Sequence, residues 1–137
     1  MASTTTRIEY LEMALDRLEE SIQIFKRYSK ADDLYNTCRD SVIQRFEFSF
    51  DLFWKCLKDY LEKQYGISVA SPRGVFRNIF EQGLVSEKEY ELLESMIGDR
   101  NDTSHRYDQA MAEEIVHNVS SYCQLMIGKF DQFLQNS

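Results

Sequence analysis

His105 and His117 are the only histidines in the chain, so few groups are placed to move protons near neutral pH, where an imidazole with a pKa of ~6.5 does so. His105 lies in the polar run Arg100-Asn101-Asp102-Thr103-Ser104-His105-Arg106-Tyr107. Its guanidinium groups pair with anions through forked N–H bonds. A helix turns about 100° per residue, which stacks Asn101 under His105 and sets Asp102 close enough to hold the ring. Arg100 and Tyr107 share a face, but Arg100 and His105 splay apart. A site that uses both needs two copies of the helix or a break in it. Asp102 and Arg106 also fit a surface ion pair at i, i+4. On pattern alone the run reads as readily as a solvated helix end, and its chemistry stays open.

The elements around this run are helical by their apolar spacing. Ile8, Leu11, Leu15, Leu18, Ile22 and Phe25 recur every three or four residues, which predicts a first helix over about residues 4–29. Lys30 to Asp33 is a polar connection. A second helix is expected over about 34–65, with Val42, Phe46, Phe50, Phe53, Leu57 and Leu61 as its main stripe. Phe48, Leu52 and Trp54 widen that face, so it meets several neighbours or a second subunit. Gly66 suits a helix end because it accepts positive φ. Ser71-Pro72 opens a short third helix, with Ser as cap and Pro in the first turn, and Gly83 closes it. Ser86 and Glu89 form a capping box for a fourth helix that turns Tyr90, Leu93, Met96 and Ile97 inward. Asp108 reads as the cap of the fifth, whose core face is Ile115, Val119, Tyr122, Met126 and Phe133. Four long helices plus a short one, on short connections, predict an all-α up-and-down four-helix bundle with an additional short helix.

The 137 residues suit one domain spanning 1–137. The composition is 43% hydrophobic and 28% charged, enough apolar content for a core without staples. A net charge of -7 repels nucleic acid, so a role on RNA needs a local basic cleft or a partner that supplies one. Cys38, Cys56 and Cys123 are odd in number and form no Cys-x-x-Cys pair. That argues against a disulfide framework or zinc site and for a reducing, cytoplasmic setting. The N-terminal run lacks the apolar stretch of a signal peptide, and no apolar run nears the ~20 residues of a membrane span. No membrane association is expected. The Asn101-Asp102-Thr103 and Asn118-Val119-Ser120 sequons then read as chance matches.

Arg100, four intervening residues, His105, Arg106 and Tyr107 resemble the R-x4-6-H motif of the HEPN superfamily, in the R-x4-H-x-Y form of HepT-like toxins. Relatives of these toxins are called substrate-binding subunits of minimal nucleotidyltransferases. The stretches Arg45-Phe46-Glu47-Phe48-Ser49-Phe50-Asp51-Leu52-Phe53-Trp54-Lys55, Ser71-Pro72-Arg73 and Ala112-Glu113-Glu114-Ile115-Val116 agree with that family. The resemblance implies a homodimer with the motifs near its two-fold axis, so that both copies of Arg100, Arg106 and His105 line one cleft. It implies metal-independent RNA cleavage with no cofactor. His105 would move the proton at the 2′-hydroxyl or the leaving oxygen, and Arg100 would stabilise charge on the phosphate. Asn101 and Ser104 would position the phosphate or the histidine, and Asp102 would orient the imidazole. It also implies a cognate minimal nucleotidyltransferase that attaches AMP to Tyr107, placing bulk and negative charge beside Arg100. The alternative within the family is a non-catalytic subunit that binds RNA or a nucleotide for that enzyme. A structural helical adaptor is the more distant reading.

Two other patterns carry less. Glu114-Ile115-Val116-His117 fits one Glu-x-x-His element of a di-iron bundle, but the rest of the ligand set is missing. A histidine phosphotransfer bundle lacks its usual lysine and glycine, because Arg106-Tyr107-Asp108 follow His105.

Overall fold

The computed structural model describes residues 6–105 and 108–137. Its helices are α1 (Arg7–Phe25), α2 (Tyr35–Tyr65), α3 (Pro72–Glu81), α4 (Glu87–His105) and α5 (Gln109–Lys129), and α5 runs on into a π-helical turn at Phe130–Leu134. Among the described residues there is no strand. The expected all-α up-and-down bundle with a short extra helix is what forms.

Local chemistry sets most boundaries. The Thr6 side chain accepts from the Glu9 amide and starts α1. Ser71 accepts from the Gly74 amide at 3.1 Å, with Pro72 in the first turn of α3. Ser86 and Glu89 exchange bonds of 2.8 and 3.1 Å at the start of α4. Asp108 caps α5 by accepting from the Met111 amide at 2.8 Å. Each cap satisfies amides that have no partner inside the helix. Gly66 ends α2 in the left-handed region at φ 65°.

At 31 residues α2 is the longest helix, roughly 46 Å at 1.5 Å per residue. It packs against α1, α3, α4 and α5. Its six stripe residues from Val42 to Leu61 are all buried, whereas Phe48 is 59% exposed. The core is one cluster with contributions from every helix. Phe46 stacks on Tyr122 of α5, and Phe50 and Phe53 meet Phe76 of α3.

Two expectations are corrected. The first helix ends at Phe25, because the amides of Arg27 and Tyr28 turn back to Ile24 and Phe25 in tight three-residue closures. At the C-terminus the inward residues are Phe130 and Leu134, while Phe133 is half-buried against the Tyr60 ring at 5.0 Å. The Gln135 amide reaches five residues back to Phe130. That wider π turn rotates the following side chains off the α-helical stripe.

Lys129 is buried and ties the end of α5 to the start of α4. Its ammonium lies 3.1 Å from Glu89 and donates to the Leu84 carbonyl. All three cysteines are free thiols. Burial pushes Cys56 and Cys123 up to about 12, while Cys38 is half-buried. No helix among the described residues is long and apolar enough to cross a membrane.

Candidate functional site

Helix α4 is fixed in rotation by two adjacent residues that point to different neighbours. Asp99 faces α5, where its carboxylate accepts from the buried Tyr122 hydroxyl at 2.5 Å and from Asn118 at 3.2 Å. Burial, and then the hydrogen bond to the Asp99 carboxylate, push the Tyr122 phenol well above its usual value. Arg100 faces α2 instead. Its Nε and Nη2 donate to the two oxygens of Asp51 at 3.3 and 3.2 Å. Its Nη1 donates to Glu47 at 2.8 Å, to Ser104 at 2.7 Å and to Thr103 at 3.3 Å. The Thr103 and Ser104 hydroxyls also donate to the Arg100 carbonyl, so both fold back along the helix. The guanidinium is thus held in one orientation by two carboxylates and two hydroxyls, with its side chain 21% exposed.

His105 is the last residue of α4 and is exposed. Five residues on a helix bring it about 140° around the axis from Arg100. The structure therefore does not join the two on one protomer, as the spacing predicts. Asn101 and Asp102 are exposed, and among the described residues no hydrogen bond links either to His105. Ser104 is engaged with Arg100, not with the imidazole. Arg106 and Tyr107 lie outside the described residues, so the Asp102–Arg106 pair and the placement of Tyr107 do too.

The chain that follows the motif is anchored by a second polar cluster. Arg39 of α2, only 3% exposed, donates to Gln109 at 2.6 Å and to Glu113 at 3.2 Å. It also grips Asp40 through Nε and Nη2. Tyr35 donates to Glu113 at 2.8 Å, and Lys30 stands 3.6 Å from the same carboxylate. Burial works against the charged form of Glu113, yet the Tyr35 hydroxyl, Arg39 and Lys30 together hold its carboxyl below the usual range. His117 is exposed on the rim, 3.9 Å from Glu113. Gln109 is the first residue of α5, so this cluster fixes the exit of the motif segment as Asp99 and Arg100 fix its entry. Among the described residues no three His, Cys, Asp or Glu side chains gather as a metal site.

Sequence reasoning assigned no role to Glu47, Asp51, Thr103, Asp99 or Arg39. A signal was present for the first two. They are carboxylates four apart on a helix whose neighbouring positions are aromatic, and such a pair facing the protein calls for a cation. The other stretches quoted above are structural: Arg45 donates to the Arg17 carbonyl on α1, and Arg73 pairs with Glu94 on α4.

The family model described as nucleotidyltransferase substrate binding protein like matches residues 6–136. The chain belongs to this family. A crystal structure of a Thermus thermophilus protein is 35% identical, covering 84% of this chain and 97% of that one, with a TM-score of 0.69. A tri-AMPylated HEPN toxin of Shewanella oneidensis, in complex with MNT antitoxin, shares the fold at a TM-score of 0.66 and 18% identity, over 88% of this chain and 93% of that chain. A toxin–antitoxin complex with AMP-PNP has a TM-score of 0.67 at 17% identity, over 88% of this chain and 95% of the other. These two likenesses are of fold. No match is found among the curated proteins. The nucleotidyltransferase substrate-binding family named with the resemblance of the Arg100–Tyr107 run is thereby confirmed.

Proposed function

We propose that the chain is the HEPN partner of a minimal nucleotidyltransferase and acts as a metal-independent endoribonuclease toxin. One observation carries this reading: a guanidinium fixed in orientation and an exposed imidazole share the last turns of α4. Two protomers arranged with these helix ends together would supply Arg100 and His105 to one cleft. Arg100 would hold two phosphate oxygens and offset the charge that grows on them. His105 would take the proton as the ribose 2′-oxygen attacks phosphorus, or give one to the 5′-oxygen as its bond to phosphorus breaks. The products are a 2′,3′-cyclic phosphate and a free 5′-hydroxyl. Ser104 supports Arg100, and Asn101 and Asp102 lie about one turn before His105 on α4. AMP added to Tyr107 would silence the cleft by occupation and by negative charge; the tri-AMPylated neighbour supports this arm.

The test is expression alone and with the nucleotidyltransferase, reading growth arrest and RNA cleavage. His105→Ala is expected to abolish both without changing the thermal midpoint or the dimer. Full activity in that variant would overturn the mechanism. Mass spectrometry after incubation with the partner and ATP is expected to show added AMP on Tyr107, and an unmodified Tyr107 would remove the silencing arm.

The second reading is a non-catalytic substrate-binding subunit of a two-component nucleotidyltransferase. The family description and the carboxylates around Arg100 favour it. It predicts tight partner binding with no toxicity and no cleavage from the wild-type chain.

A further inference from the structure

We propose that Glu47 and Asp51 are a carboxylate latch on Arg100, and that a phosphodiester engages this arginine only by opening the Asp51 arm. The inference rests on the phosphodiester reading above and adds two positioning residues to it.

A guanidinium grips a phosphate with a pair of parallel N–H groups along one edge. Arg100 has two such edges that face away from its own stem. Asp51 closes the Nε/Nη2 edge with both its oxygens. Glu47 occupies Nη1 on the other, together with Ser104 and Thr103. No edge is left for a two-pronged contact while both carboxylates stay. The three charged groups together carry one net negative charge, so the closed site repels the anion it is proposed to bind.

The two arms differ. Asp51 is 45% exposed and its bonds are the longer ones, at 3.2 and 3.3 Å. Glu47 is 28% exposed and bonds at 2.8 Å. Water competes best for the exposed, longer pair. When Asp51 swings out, Glu47, Ser104 and Thr103 still hold Nη1, and the Nε/Nη2 edge faces outward with its geometry kept. The latch sets a threshold: isolated phosphates do not open it, whereas an RNA also held by neighbouring contacts does.

The probe is a short fluorescent RNA with every ribose 2′-O-methylated, which binds but cannot be cleaved through the 2′-oxygen. Anisotropy is read for the full chain, with thermal midpoints as the folding check. Asp51→Asn is expected to bind about fivefold tighter than wild type, because a neutral amide competes less for the guanidinium. The gain should vanish in the Asp51→Asn/Arg100→Ala double variant. It should also be absent from Asp16→Asn, which makes the same charge change on the exposed face of α1. A gain that survives without Arg100, or that Asp16→Asn matches, is a bulk charge effect and overturns the latch. An equal gain from Glu47→Gln overturns Asp51 as the yielding arm. Binding that needs Arg100 but is unchanged or weaker in Asp51→Asn sinks the latch and leaves the phosphodiester reading standing. No binding by any variant, or binding indifferent to Arg100, sinks that reading and the latch with it.

Discussion

Glu113 is a single carboxylate with three tasks: it accepts from Tyr35, pairs with buried Arg39 and attracts Lys30. Its folded pKa lies below the ordinary value. A depressed carboxylate contributes stability that is full above the unfolded pKa of ~4.3 and is lost as pH falls through the folded one. Glu113→Gln should therefore cost stability at neutral pH and cost progressively less in acid. Urea unfolding of both proteins between about pH 7 and pH 3 checks this, and two parallel curves would refute it. At this scale the sequence was partly legible. His105 stood out because the chain has two histidines, and Arg100 because it stands five residues before His105 in a motif that resembles a known family. The partners of Arg100 did not, because they lie about fifty positions upstream, and a one-dimensional pattern says which face of α2 is apolar but not which turn of α4 lies across it.

The helices were more legible than the contacts between them. Ser71, Ser86, Glu89 and Asp108 announce their helix starts because a cap is a bond between residues three apart. Gly66 is legible for the same local reason. Its φ of 65° is strained for a side chain, although open space surrounds the position. Gly66→Ala is thus a test of backbone conformation without a clash, and should cost about 1 kcal/mol in equilibrium unfolding. A loss near zero would show that the end of α2 rearranges. The π turn was not legible. Phe130, Phe133 and Leu134 are all apolar, so the stripe could continue through any of them, and the choice falls to packing against α2.

At the scale of the molecule the net charge of -7 and the proposed work on a phosphodiester pull in opposite directions. The shared cleft proposed above would resolve this by gathering the arginines of two protomers. Co-expression of Arg100→Ala with His105→Ala chains tests the sharing. If Arg100 of one protomer serves His105 of its partner, mixed dimers hold one intact site, and cleavage returns to roughly a quarter of wild type by random pairing. No recovery would place both groups within one chain. The bundle also has an uneven chemistry toward electrophiles. Cys56 and Cys123 sit in the core with thiols pushed up to about 12, so an alkylating reagent at neutral pH finds almost no thiolate there. Only Cys38, beside the buried Arg39, remains reachable in the native fold. A mild maleimide should add one label to the folded chain and three after denaturation. The wild-type protein thus brings its own single reporter position, next to the cluster that anchors the motif's exit.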